Sequence, residues 1–283
     1  HMFGWDIMPR ALSGGIWRSV TLIKKPADRI EEIYLYPYKV SKESAALSGY
    51  YSVTAAGDFI GEYTLKIKGE CGSSVFEINH GMWSPYGSLD IQVPNPELWW
   101  TKGRGEPKLY EVTAELYRGE KLCDRKRFRL GIRSVELIRT GFIDENGSGD
   151  FRFKLNGEDV FFCGTNWVPL DAFHSRDKER LPKALELLGD VGCNMVRCWG
   201  GNVYESREFY DYCDENGIAV WQDFAMACAS YPRTKEFSER LYNEAESVIK
   251  ALRQHPSILI WSGDNECDEA ITWKPVTHDP NDN

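Results

Sequence analysis

Two textures of hydrophobic and polar positions follow one another along the chain. Over residues 30–137, short runs alternate apolar and polar side chains with a period of two. Ile33-Tyr34-Leu35-Tyr36, residues 61–67, 74–78, 110–117 and 125–130 are examples. That period marks half-buried antiparallel strands, and the turns between the runs predict a β-sandwich of roughly one hundred residues. No helix-period segment of any length interrupts it.

From Phe151 onward the period changes. Asn156-Gly157 reads as a hairpin turn leading into the buried run Val160-Phe161-Phe162-Cys163-Gly164. Residues 176–188 place Leu181, Ala184, Leu185 and Leu188 at helical spacing and stop at Gly189. Strand 194–199, helix 205–215 closed by Asn216-Gly217, strand 218–221, helix 235–254 and strand Ile258-Leu259-Ile260-Trp261 complete the series. Strand and helix alternate four times, which predicts a parallel βα array. The last strand is too apolar and β-branched for a solvated edge and suits a strand covered on both faces.

Four βα units fit either half of a closed (β/α)8 TIM barrel or the core of an open doubly wound sheet. The open sheet would want a glycine-rich phosphate turn after its first strand. Here Gly164-Thr165-Asn166-Trp167-Val168-Pro169-Leu170-Asp171 follows, with bulky and polar groups suited to a sugar pocket. A partial barrel is therefore expected. Residues 1–29 fit neither texture. Phe3-Gly4-Trp5-Asp6 and residues 14–23 read as the last loop and last strand of a preceding β-domain, whose sheet must be supplied elsewhere because a single strand does not stand alone. The expected division is 1–29, the end of a preceding β-domain; 30–140, a β-sandwich; and 141–283, the first half of a TIM barrel. The fold class is thus multidomain, β plus α/β.

Composition narrows the function. The chain has 283 residues, 34 basic against 43 acidic, and a net charge of −9. That charge, without any basic stripe, argues against nucleic acid or an anionic membrane as partner. No apolar run approaches the length of a membrane span. The eight cysteines (Cys71, Cys123, Cys163, Cys193, Cys198, Cys213, Cys228, Cys267) show no Cys-x-x-Cys pair and cluster in the second half, where those from Cys163 onward fall in or beside apolar segments. Reduced buried thiols are expected rather than a zinc or disulfide framework, which favours a reducing, cytoplasmic compartment. His174 and His255 have no ligand spacing, so neither a metal nor another cofactor is expected.

The strand ending Trp261-Ser262-Gly263-Asp264-Asn265-Glu266 carries the chemistry. A carboxylate at the exit of a parallel strand sits where barrel enzymes keep their reacting groups. Three further stretches agree with it in order. These are Phe3-Gly4-Trp5-Asp6 through Gly14-Gly15-Ile16-Trp17-Arg18; Leu98-Trp99-Trp100-Thr101 with Gly103-Arg104-Gly105-Glu106-Pro107; and Gly164 through Asp171 with Val196-Arg197-Cys198-Trp199-Gly200-Gly201. Together they resemble glycoside hydrolase family 2, and within it the β-mannosidase branch. Ser262-Gly263-Asp264 before Asn265 favours that branch over the β-galactosidases, and Glu266 departs from the Asp usual in exo-glucosaminidases. Asp6 is followed by Ile7-Met8-Pro9, where the branch usually continues Trp-Gly-Pro, so the local loop differs.

The resemblance implies a jelly-roll for the domain ending at 1–29, an immunoglobulin-like fold for 30–140, and a retaining exo-β-mannosidase acting on carbohydrate with terminal β-mannose. Such hydrolysis needs two carboxyl groups about 5–5.5 Å apart. By resemblance Glu266 is the acid/base and Asn265 donates to the sugar 2-hydroxyl. Trp199 offers the sugar an apolar face, Arg197 orients carboxylates or hydroxyls, and Asp171, Asn166, Trp167 and the remote Asp6 line the pocket. The nucleophile, which the family carries on a later strand, is expected to be absent from this chain, and the chain alone to be inactive. Structural readings stand beside these roles: a turn for Asn265, a core Trp and an ion pair for Trp199 and Arg197, solvated loop positions for Asn166 and Asp171. Trp99 and Trp100 are expected to fill the sandwich core or a domain junction. The alternatives are another family 2 activity (on β-galactosides, β-glucuronides or β-glucosaminides) or a non-catalytic carbohydrate-binding or structural piece. Exposed strand edges of a half barrel also predict self-association.

Overall fold

A computed structural model describes residues 14–141 and 149–273, together with the isolated positions 7, 9, 11 and 145. Seven antiparallel strands form the first unit: β1 (Arg29–Val40), β2 (Ser44–Thr54), β3 (Tyr63–Cys71), β4 (Ser74–Gly81), β5 (Tyr86–Pro94), β6 (Tyr110–Arg118) and β7 (Lys121–Leu130). They make two sheets, β1-β2-β5 and β4-β3-β6-β7. Alternate residues point inward: Tyr63, Leu65 and Ile67 from β3 and Tyr110, Val112, Ala114 and Leu116 from β6 join Leu47 and Tyr51 of β2 in one buried cluster. Each large apolar side chain so buried contributes about 1.5–3 kcal/mol. This is the expected sandwich.

A small sheet, β10-β9-β8, comes next, from β8 (Val135–Arg139), β9 (Phe151–Leu155) and β10 (Glu158–Val160). Its hairpin turns at Asn156 (φ 52°) and Gly157 (φ 80°). Two successive positive φ values are what a type I′ turn requires, and Asn-Gly accepts them at low cost. The buried strand expected over 160–164 is interrupted here. β10 ends at Val160, Phe161 is exposed, and a new strand starts at Gly164.

The third unit alternates β11 (Gly164–Trp167), α1 (Asp177–Asp190), β12 (Met195–Cys198), α2 (Arg207–Asn216), β13 (Ala219–Asp223), α3 (Lys235–Leu252), β14 (Ile258–Ser262) and α4 (Cys267–Trp273). The strands are parallel in the order β11-β12-β13-β14. One face carries Trp167, Val196, Cys198, Val220 and Ile258, buried against Leu181, Leu185, Phe209, Tyr210 and Cys213 of the helices. The row Asn166, Arg197, Trp221 and Ile260, adjacent in register, belongs to the opposite face. The expected βα array is present.

The strand expected over 14–23 is not formed. Residues 14–28 run without regular structure, with Ile16, Val20, Leu22 and Ile23 exposed. Among the described residues this stretch pairs with no sheet, and a strand without a partner leaves its backbone to water. It instead leans on the third unit: Trp17 packs 5.7 Å from the His174 ring, and Arg18 Nη2 donates to the Tyr204 carbonyl at 2.7 Å.

Sandwich and βα unit are joined by a buried seam. The Trp99 indole is fully buried and its Nε1 donates to the Asp214 carbonyl at 2.8 Å. Thr101 Oγ1 donates to the Gly217 carbonyl at 2.8 Å, and Arg133 donates to the carbonyls of Pro256 and Ile258. Burial pushes the Arg133 guanidinium down to about 10. Glycine is required at 131, because a Cβ there would fall 2.5 Å from the Pro256 ring. The seam holds β14, and so the loop after it, in a fixed place against the sandwich.

Candidate active site

The residues of interest gather at the C-terminal ends of β12, β13 and β14. Asp223 closes β13 and is 1% exposed. Such a carboxylate is tolerated in a core only with its lone pairs engaged. Arg197 supplies two contacts, Nη2 to Oδ2 at 2.7 Å and Nε to Oδ1 at 3.3 Å, and the Gly200 amide donates to Oδ2 at 3.1 Å. Burial pushes the Asp223 carboxyl up, against the opposing pull of Arg197. Arg197 Nη2 also donates to Asn265 Oδ1 at 2.8 Å, and the guanidinium lies 5.7 Å from the Trp221 ring centre.

Sheet-like pairing continues into the loops. Asn265 N donates to the Met226 carbonyl at 3.0 Å and Cys228 N to the Asn265 carbonyl at 2.8 Å, forming a parallel bridge between Ala227 and Asn265. Cys228 (φ 48°) and Glu266 (φ 57°) both then adopt the left-handed conformation. Non-glycine residues there cost of order 1–3 kcal/mol each and persist where surrounding structure enforces them. The result is direct contact. Cys228 Sγ donates to Glu266 Oε2 at 3.2 Å, and Asn265 Nδ2 donates to the same sulfur at 3.3 Å. Glu266 is exposed while Asn265 is buried, so the carboxylate meets solvent and its neighbour does not.

Glycines make room for this arrangement. A Cβ at Gly200 would fall 2.3 Å from the Met226 carbonyl oxygen, and one at Gly201 would fall 2.1 Å from the Trp199 ring. The indole of Trp199, half-buried, thus lies directly over Gly201.

The expected pocket residues divide. Arg197, Asn265 and Glu266 meet through Asp223 and Cys228, neither of which the sequence pattern marks as part of the site. Asn166 is exposed and lies beside Arg197 in register. Trp167 is corrected from pocket to core: it is 5% exposed, packs on Phe209 at 4.9 Å, and its Nε1 donates to Glu205 Oε1 at 3.0 Å. Asp171 also turns inward. Its Oδ1 accepts from the Phe173 amide at 2.9 Å and Arg180 pairs with Oδ2 at 2.7 Å, which makes it a loop anchor. The Phe173 amide, with Arg176 and Arg180, holds this carboxyl below the usual range. Asp6 lies outside the described residues.

Asp223 was legible only as the end of the apolar run 218–221, two residues further on. Cys228 gave no signal, since nothing in Ala227-Cys228-Ala229 distinguishes it from the other thiols. Asp211, Asp214 and His255 are close enough to hold a metal ion. Their partners are structural, however. His255 Nδ1 bonds Asp214 Oδ2 at 2.6 Å, the Ser257 amide donates to Asp214 Oδ1, and Arg129 pairs with Asp211.

Comparison with known proteins places both domains in one family. The model of glycosyl hydrolases family 2 matches residues 29–133, and the model of that family's TIM barrel domain matches residues 149–279. The chain belongs to glycosyl hydrolase family 2. It is 33% identical to β-mannosidase B of Emericella nidulans over 99% of the chain and 34% of that protein. To β-mannosidase B of Aspergillus fumigatus it is 34% identical, over 94% of the chain and 31% of the relative. The crystal structure of β-D-mannosidase from Dictyoglomus thermophilum superposes with a TM-score of 0.83 at 34% identity, covering 94% of this chain and 33% of that one. A β-glucuronidase from Bacteroides uniformis, at 22% identity and a TM-score of 0.73, shares the fold. The chain spans about a third of the length of the curated relatives it matches.

Proposed function

We propose that the intact protein carrying this chain is a retaining, exo-acting β-mannosidase that removes terminal β-mannosyl units. One observation carries the reading: Asn265 and Glu266 leave a parallel strand side by side, the amide buried and anchored, the carboxylate open to solvent. That is the arrangement a family 2 acid/base and its sugar-binding neighbour need. The β-mannosidases that match nearly the whole chain favour mannose within the family.

In this mechanism Glu266 protonates the glycosidic oxygen as the bond to the anomeric carbon breaks. It then takes a proton from the water that hydrolyses the glycosyl-enzyme. Asn265 Nδ2 donates to the sugar 2-hydroxyl, a contact that strengthens in the transition state. Trp199 presents an apolar face to the sugar ring. The attacking carboxylate is assigned to another part of the intact protein. Of the nearby acids, Asp223 is held by Arg197, and Asp264 Oδ1 accepts from the Cys267 amide at 3.1 Å. The chain by itself is accordingly proposed to be inactive.

Aryl β-mannoside, β-galactoside, β-glucuronide and β-glucosaminide offered to the intact protein, with and without Glu266→Gln, test the reading. Preferential release from the mannoside, reduced about 10²–10⁴-fold by the substitution, is expected. Activity indifferent to Glu266, or preference for another glycoside, refutes the assignment.

A further inference from the structure

Asp223, which neither the sequence pattern nor the expected pocket includes, occupies a place that packing alone does not explain. A buried carboxylate paired with a guanidinium is costly to desolvate, and an apolar pair of similar volume generally serves stability as well. An apolar pair could not do what this one does, which is to reach out of the sheet and hold a third residue. We propose that Asp223 is a positioning residue of the candidate site: by anchoring Arg197 it fixes the Asn265 amide with its NH₂ group, rather than its oxygen, toward Cys228 and Glu266.

The polarity of the chain of contacts follows from donor chemistry. Guanidinium has five N–H donors and no acceptor. Arg197 Nη2 lies 2.7 Å from Asp223 Oδ2 and 2.8 Å from the Asn265 side chain, so the Asn265 atom facing it must be the oxygen. The amide nitrogen then points the other way, where Cys228 Sγ accepts from it at 3.3 Å. An amide is otherwise free to present either end. Its orientation decides whether a sugar hydroxyl beside it meets a donor or an acceptor. Arg197 donates twice to Asp223 and the Gly200 amide once, so the anchor is tied to the backbone of the Trp199-Gly200-Gly201 loop. Without the carboxylate, Arg197 loses both of its contacts to Asp223 and retains those to Asn265 and the Trp221 ring.

The inference rests on the reading of Asn265 as the 2-hydroxyl donor. It is tested with the intact protein by comparing kcat/KM for an aryl β-mannoside and its 2-deoxy counterpart. The wild type should prefer the 2-hydroxy substrate about 100-fold, because that hydroxyl's contacts strengthen in the transition state. Asp223→Asn should lower the 2-hydroxy rate at least about 10-fold and leave the 2-deoxy rate nearly unchanged, collapsing the ratio. A purely structural residue would lower both rates together, and that result overturns the proposal. Arg197→Lys, which keeps the charge but loses the two-pronged fork, should collapse the ratio in the same way. It serves where Asp223→Asn does not fold. The crystal structure of either variant tests the positioning role independently of turnover. Asn265 rotated or displaced supports positioning; Asn265 unmoved refutes it. Wild-type silence on every β-glycoside removes the hydrolase reading, and the crystal structure then decides the positioning role alone.

Discussion

Cys228 Sγ lies 3.2 Å from Glu266 Oε2, joining two residues that are both in the left-handed backbone region and 38 positions apart in sequence (266 − 228). The Asn265 amide already occupies the sulfur as an acceptor, so the thiol hydrogen is available to the carboxylate. In the intact protein, Cys228→Ser should keep this donor and hold kcat/KM within about 3-fold. Cys228→Ala should lower it about 5–10-fold, the worth of one hydrogen bond of about 1–1.5 kcal/mol. Equal losses in the two variants would show that the thiol fills space only.

Glu205 makes stability fall as pH rises. Burial pushes its carboxyl up to about 7, against the opposing effects of the Trp167 and Asn202 hydrogen bonds; Asp177 raises it further and His174 lowers it. The folded protein thus holds a proton that the unfolded chain, with an ordinary carboxyl, releases near pH 4.5. The stabilisation is fully present below about pH 4.5 and is lost through pH 7, at up to about 1.4 kcal/mol per pH unit. Glu205→Gln keeps an oxygen for both donors and removes the titration. Chemical denaturation from pH 4.5 to 8 should show this contribution to the slope disappear in the variant, with the variant the more stable at pH 8. An unchanged slope would place the proton elsewhere.

Gly200→Ala tests the packing behind the site. The new Cβ would stand 2.3 Å from the Met226 carbonyl oxygen and 2.9 Å from that of Phe224, both backbone atoms. Backbone does not yield as a flexible side chain does, so a loss of about 1–3 kcal/mol is expected. Thermal unfolding reads it. A variant as stable as wild type would mean that the β12 and β13 loops stand further apart than these distances require.

The seam between sandwich and βα unit should behave as core. Trp99→Phe deletes the Nε1 donor to the Asp214 carbonyl and should cost about 1–3 kcal/mol by leaving that group unsatisfied. Trp99→Ala should cost about 3–5 kcal/mol. In denaturant titration the two units should lose stability together. Unfolding of one unit at its wild-type midpoint would show that the seam does not couple them.

The legible parts of this protein were those written in local periodicity. Period two along β3 and β6 and period 3.6 along α1 gave the right element types, because each reflects which face of a local element meets the core. Asn156-Gly157 specified its own turn, since the two residues alone tolerate the required φ values. Glu266 was found because a polar pair follows an apolar strand without a break. Residues 14–23 carry a strand-like pattern but form none among the described residues: a strand also needs an edge, and sequence cannot show whether one is present. Trp167 and Asp171 looked like pocket residues because polar and aromatic loop positions suit sugars. Their turning inward depends on Glu205 and Arg180, partners set by how α1 and α2 dock. Asp223 and Cys228 entered the site for the same reason. Each reaches Arg197, Asn265 or Glu266 only after parallel strands bring residues 26 to 38 apart into register (223 − 197; 266 − 228). The chain alone determined the elements and the carboxylate proposed to react, because those follow from local burial and strand order. Only the tertiary structure decided which groups hold that carboxylate, because hydrogen bonds across a sheet depend on register and not on sequence distance.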